Sequence, residues 1–420
     1  MWTLSNLLTP YRGLPREIYV IFVSRVVNSI GAFVMPLMTL ILTQNIGLST
    51  EMTGFYLGLA GFIGIPASIL GGKLADGFGR KRTILVFSGL SILLYVIAGN
   101  MQPSITLVYV MICARAAMTT TGPAQNSMIA DLTTPENRNA AFSLSYMGWN
   151  LGFAIGPVMG GLLYHYNLSW VFLGDAFSAF LALLLIFFFV KESIHSTQDE
   201  VGTERAMERR EQGSIVQVLM KRPLLICFAL IVFGYEFTYS QWSFMLPMQA
   251  MELFPGRGAQ YYGLVAGFNG LVVILFTPVV TKLAEKLTHI RCAVIGGVLY
   301  AVGFGMLGVL NSLPFIFVWA FTFTIGEIIL AISINPFVAN HTPASHRGRV
   351  NAMVSMITGL GATLGPLGMG QLLGYLSIDI SWILLGGLTV IFTALMIVLE
   401  HYERTSARVC AGADLISDAK

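Results

Sequence analysis

Apolar stretches of helix-spanning length recur twelve times along the chain, near 17–43, 52–75, 83–99, 104–130, 139–164, 168–190, 223–249, 260–283, 290–310, 314–339, 350–375 and 381–401. A transmembrane helix needs roughly 20 apolar residues, so each stretch predicts one span, numbered here 1 to 12. Most connections between them are a few residues long. The exception runs from Lys191 to Arg222, where acidic and basic residues are dense and nearly balanced. It separates six spans from six. The pattern therefore predicts an all-α, polytopic membrane protein built from two six-helix bundles, 1–190 and 223–403, joined by a linker at 191–222 and followed by a tail at 404–420.

Composition supports that reading. Of the 420 residues 55% are hydrophobic and only 11% charged, with a mean hydropathy of +0.74. Soluble domains are closer to a quarter charged, so a disordered chain, a disulfide scaffold and an ordinary cytosolic enzyme are excluded. Cys113, Cys227, Cys292 and Cys410 show no metal-ligand or redox spacing. No short apolar core precedes a small-residue cleavage site, so no signal peptide is expected.

Charge then orients the spans. Of the 24 basic residues, 21 fall on one side, in the termini, the linker and alternate loops. Arg257 lies opposite, and Arg25 and Arg115 lie within spans. Basic loops stay cytoplasmic, so both termini and the linker are expected in the cytoplasm, in an inner or plasma membrane.

The two halves repeat. Gly54, Gly58 and Gly61 recur 209 residues later as Gly263, Gly267 and Gly270. The same register carries Lys73–Asp76 onto Lys282–Glu285, and Gly152, Gly156, Pro157 and Gly161 onto Gly361, Gly365, Pro366 and Gly370. Six spans per repeat give both halves the same topology, hence a pseudo-twofold axis along the membrane normal.

The loop after span 2 reads Gly72-Lys73-Leu74-Ala75-Asp76-Gly77-Phe78-Gly79-Arg80-Lys81-Arg82. It resembles the signature loop of the major facilitator superfamily, G-x-L-a-D-r-x-G-r-k, with Gly77 where a basic residue is usual. The 6 + 6 layout extends the resemblance over the whole chain. It implies that Asp76 and Arg80, with Asp131 at the end of span 4, lock the cytoplasmic gate. Gly72 and Gly79 are expected to allow close approach and a tight turn. A basic loop that only fixes topology is the plainer alternative.

In span 5, Gly148, Gly152, Gly156 and Gly160 are spaced by four, which lines one helix face for close packing. The run from Gly152 through Gly156, Pro157 and Gly160 to Gly161 resembles the G-x-x-x-G-P-x-x-G-G motif of the superfamily's drug–proton antiporters, although Ser143 stands where a further glycine is common. Ordinary small-residue packing around a proline kink accounts for the same residues.

Charges inside spans are expensive in lipid. Here they are Arg25 in span 1, Arg115 in span 4, Glu236 in span 7 and Glu327 in span 10; Asp175 and Glu400 are expected near water. Arg25 and Glu236 each precede a proline, Pro36 and Pro247, by eleven residues, so they hold equivalent places in the two repeats. The resemblance implies that spans 1, 4, 7 and 10 line the central cavity. The expected substrate and proton cavity is thus Arg25, Asn28, Arg115, Glu236, Tyr239, Trp242, Glu327 and Asn335, with a static ion pair as the structural alternative.

No phosphate-binding loop, zinc motif or nucleophile elbow occurs, so no catalytic residue, metal or cofactor is expected and no nucleic acid is bound. The expected protein is a monomeric secondary transporter for a small molecule, driven by protons and exporting drugs or other amphiphiles. The alternatives are a carrier for one metabolite (an amino acid, sugar or siderophore) and a transport-inactive receptor of the same fold.

Overall fold

A computed structural model describes the backbone at residues 11–193, 223–310, 312–342 and 347–417, and the side chains there except at 135, 136, 139, 335, 339, 347–352 and 406–417. Apart from Lys191, Glu192 and Ser193, the linker therefore lies outside the described residues.

Every described element is helical. Spans 2 to 6 are Thr50–Gly77, Arg80–Gly99, Ile105–Asp131, Pro135–Tyr166 and Leu168–Phe189; spans 8 to 12 are Gly258–Ala284, His289–Met306, Leu313–Asn340, Arg347–Leu373 and Ile378–Ser417. Helices close their own backbone hydrogen bonds, the condition for crossing hydrocarbon. Several starts are set by caps rather than by hydropathy: the Ser49, Ser104 and Thr288 hydroxyls accept from Met52, Leu107 and Arg291 N–H. Span 5 starts at Pro135 behind a Thr134/Asn137 capping box. Helices thus overrun the apolar stretches that announce them.

Spans 1 and 7 are broken at matching places. Span 1 is Arg16–Ile30 followed by Val34–Leu40 and a π turn at Ile41–Asn45; span 7 is Pro223–Tyr239 followed by Gln241–Leu253. Proline removes an N–H and crowds the carbonyl four residues earlier: Pro36 reaches back to Ala32 within the first break, whereas Pro247 lies seven residues past Ser240, inside the second segment of span 7.

Among the described residues, eleven helical segments are long and apolar enough to cross a membrane. Span 5 is not among them despite its 32 residues. Its glycines face protein, while Leu151, Ile155 and Met159 are among its exposed apolar side chains. Large side chains such as Phe188, Val398 and Leu283 are exposed on other spans, as a lipid-facing surface requires.

The chain divides into two compact units, Met1–Thr203 with Trp242–Ile274, and Glu204–Gln241 with Leu275–Lys420. Trp242–Ile274 joins the first unit because the glycines of span 8 sit on span 5: a Cβ on Gly267 would meet the Ala154 carbonyl at 2.8 Å, and one on Gly270 would meet Ala154 Cα at 2.8 Å. The first unit's core at the signature-loop end is aliphatic, around Ile18, Ile84, Met128, Leu144 and Val190. The second unit carries an aromatic core, in which Phe304 lies 5.8 Å from Trp319 and 5.9 Å from Trp382 between ring centroids.

Candidate functional site

The signature loop folds as a charge cluster. Arg80 Nε donates to Asp131 Oδ2 at 3.0 Å and Nη1 donates to the Ala75 carbonyl at 2.8 Å. Asp76 stands 3.4 Å from Arg80 Nη2, but its side chain is 73% exposed. The structure brings Asp76, Arg80 and Asp131 together and makes Asp131 the buried partner.

Glu192, just beyond span 6, completes the cluster. Its carboxylate accepts from the backbone N–H groups of Arg80 at 2.8 Å, Lys81 at 3.2 Å and Arg82 at 3.3 Å. These are the unpaired donors at the start of span 3, where an anion is favoured. Burial pushes the Glu192 carboxyl up, but these three N–H groups and that of Ser193 outweigh it and hold it below the ordinary value. Ser193 Oγ donates to Asp131 Oδ2 at 3.0 Å, so the first linker residues tie directly into the gate pair.

Gly79 has φ +113°, and a Cβ there would lie 2.6 Å from Glu192 Oε2; both its backbone conformation and its lack of a side chain are used. Gly72 does not provide the expected close approach. A Cβ there meets only Pro123 Cβ at 3.9 Å, whereas one on Gly71 would overlap the Thr120 carbonyl of span 4. The helix turns Gly71, not Gly72, toward its neighbour.

Span 5 presents its glycine face to span 1. A Cβ on Gly148 would come within 3.3 Å of Arg25 Cβ, one on Gly152 within 2.8 Å of the Ile30 nitrogen, one on Gly156 within 2.6 Å of the Ser29 carbonyl and one on Gly160 within 3.3 Å of Phe33. The adjoining face, with Ala154, Pro157 and Val158, takes span 8. The second unit repeats the span 1 arrangement, since a Cβ on Gly361 would lie 3.1 Å from Glu236 Cβ.

Arg25, Asn28 and Gln125 line one cavity inside the first unit. Arg115 lies apart from that lining, within electrostatic reach of Tyr95, as does Asp175. Asp175 is not near water as expected: it is 8% exposed, and Oδ2 accepts from Val34 N–H at 3.0 Å. The break in span 1 leaves N–H groups unpaired there, and a carboxylate in span 6 caps them. Glu400 is also largely covered and pairs with Arg404.

In the second unit, Tyr239 donates to Glu327 Oε1 at 2.8 Å. The Tyr239 ring stacks 6.1 Å from Tyr300, and the Glu236 and Glu327 charges act on one another and on both tyrosines. Trp242 does not join this group. It follows the break in span 7 and packs in the first unit, 6.0 Å from Phe153 and 6.1 Å from Tyr262 between ring centroids. The Asn335 side chain lies outside the described residues.

The Major Facilitator Superfamily model matches residues 20–286 and 243–414. The chain belongs to the Major Facilitator Superfamily. Superfamily relatives include the uncharacterized MFS-type transporter YqjV of Bacillus subtilis, 27% identical over 338 residues, 79% of this chain and 80% of that one. A Na(+), Li(+), K(+)/H(+) antiporter of Planococcus maritimus is 23% identical and covers 90% of this chain and 94% of its own. The multidrug resistance protein MdtH of Aeromonas hydrophila is 24% identical with the same two coverages, 90% and 94%. Among solved structures, the peptide transporter POT in complex with sulfate superimposes with a TM-score of 0.77 at 16% identity, covering 95% of this chain and 96% of that one. That likeness shows the fold alone.

Two residues of this superfamily member were not singled out from sequence as site residues. Glu192 lies in a charge-dense linker where no local pattern marks it. Asp175 gave a signal, a lone acid in an apolar span, whose partner appears only once span 1 is seen to break.

Proposed function

We propose that this chain is a secondary transporter working by alternating access, with its signature-loop end in the cytoplasm of an inner or plasma membrane, and that it exports amphiphilic small molecules in exchange for protons. The observation that carries the coupling is the hydrogen bond from Tyr239 to Glu327, beside Glu236, inside spans 7 and 10. Two interacting carboxylates bind protons as a pair. A tyrosine hydroxyl stabilises the ionised Glu327, and protonation weakens that contact. A change of protonation therefore changes a bond between two spans, which is what coupling requires. The names of the antiporter and multidrug resistance relatives support exchange against protons and the substrate class.

The test uses purified protein in liposomes with an imposed pH gradient, reading proton movement as lipophilic cations and antibiotics are added one at a time. At least one compound is expected to trigger proton flux, with the flux lost in Glu327→Gln and reduced in Tyr239→Phe. Full flux in Glu327→Gln sinks the assignment of the coupling site. Silence of folded protein across the panel would favour a carrier for one metabolite.

A further inference from the structure

The first unit carries a partly open pocket of about 200 Å³ among spans 1, 3, 4 and 6, with Trp149 of span 5 on its wall. Its polar lining includes Arg25, Asn28, Ser88, Thr121 and Gln125, and among the described residues no acidic one lines it. Arg25 Nε is buried and has no hydrogen-bond partner. No described carboxylate pairs with that guanidinium. Two buried acids of the same unit are engaged elsewhere: Asp131 by Arg80, and Asp175 by the Val34 nitrogen.

A buried charge without a counter-ion is strongly unfavourable, and nothing in the backbone forces it on this site. Span 5 meets the stem of Arg25 at Gly148, which fixes where the residue stands. The head group is left facing a space bordered by neutral amides and hydroxyls, with apolar walls such as Met118 and Leu183. Guanidinium matches carboxylate geometry in a forked pair. The amides of Asn28 and Gln125 add donors, and the apolar walls accept a small hydrocarbon body.

We infer that this cavity is a binding site for a carboxylate carried on a small apolar or aromatic body, with Arg25 as its counter-ion. Naming that ligand a transported substrate rests on the transport reading above; the binding site does not. The site would make the substrate class organic monoanions, a narrower group than amphiphiles at large.

The test is calorimetric titration of the full-length protein in neutral detergent at pH 7.5 with 4-phenylbutanoate and with its uncharged isostere 4-phenylbutanamide. The carboxylate is expected to bind saturably and the amide about tenfold or more weakly. Arg25→Gln is expected to abolish the preference, and Arg25→Lys to retain part of it. Asn28→Asp is the second variant, because it supplies an internal counter-ion one turn from Arg25. It is expected to raise the melting temperature and to block the carboxylate. Equal affinity for the two compounds, no binding of the carboxylate at millimolar concentration, or unchanged binding in Asn28→Asp would each overturn the inference. Carboxylate binding without proton flux in liposomes would refute coupled transport and keep the site. Proton flux with lipophilic cations alone, unchanged in Arg25→Gln, would keep coupled transport and overturn the site as a substrate site.

Discussion

Arg80 Nε donates to Asp131 Oδ2 at 3.0 Å with both side chains almost fully covered, 6% and 5% exposed. Breaking a buried pair by removing one partner costs about 3–5 kcal/mol, because the other charge stays buried alone. The Asp76–Arg80 contact is exposed on one side and of the kind worth about 1 kcal/mol or less. Asp131→Ala and Arg80→Ala are therefore expected to lower the melting temperature far more than Asp76→Ala. The double variant Arg80→Met/Asp131→Leu should be less damaged than either single. Thermal unfolding of the purified variants checks this, and equal effects at Asp76 and Asp131 would contradict it.

Glu192 caps the start of span 3 as an anion. Its folded-state carboxyl is held below the ordinary value, so the stabilisation is fully present above the unfolded-state pKa and is lost only as pH falls through the still lower folded value. The cap is expected to hold unchanged between pH 5 and 8. Any pH dependence of transport in that window must arise elsewhere. Glu192→Gln should lower stability by about 1 kcal/mol, with the loss disappearing in strong acid. Melting curves of both proteins across pH 3–8 provide the measurement, and a Glu192→Gln defect that grows toward acid would contradict the assignment.

Two adjacent glycines are expected to behave differently. Gly71→Ala places a methyl group on the Thr120 backbone, while Gly72→Ala adds one in ordinary contact with Pro123. Backbone cannot yield as a flexible side chain does, so Gly71→Ala should reduce folded yield sharply and Gly72→Ala should be near neutral or slightly stabilising. Size-exclusion profiles of the two variants decide it.

Spans 5 and 8 meet so closely that a Cβ on Gly270 would lie 3.0 Å from Ala154 Cβ. Disulfides hold Cβ atoms about 3.5–4.5 Å apart, so a small relaxation suffices. In a background lacking the native cysteines, Ala154→Cys with Gly270→Cys is expected to cross-link on mild oxidation and to stop transport until reduced. Undiminished transport by the oxidised protein would mean this contact stays closed throughout the cycle.

Much of the fold was legible because lipid imposes strong rules on sequence. A span must be apolar and long, loops facing the cytoplasm are basic, and a duplicated half keeps its register, as Gly152 and Gly361 show. The gate was legible in part: Asp76, Arg80 and Asp131 came from the signature loop and its resemblance. Their ranking did not, because exposure depends on how span 4 packs beside span 2. Trp242 was grouped with Glu236 through nearness in sequence, and the break in span 7 sends it to a different set of neighbours.

By itself the sequence determined the number of spans, their repeat, the sidedness expected from charge and four of the charges placed in lipid-spanning helices, but not the burial of a fifth, Asp175. Those properties depend on composition and spacing along one helix, which burial and transfer free energies read directly. Tertiary structure alone decided which glycine faces a backbone, that Glu192 caps the start of span 3 and Asp175 the break in span 1, and that Glu327 is bonded to Tyr239 while Arg25 has no partner among the described residues. Each of these is a meeting of atoms far apart in the chain, fixed by helix rotation and packing distance. A one-residue change of face alters the partner while leaving the hydropathy of the span almost the same.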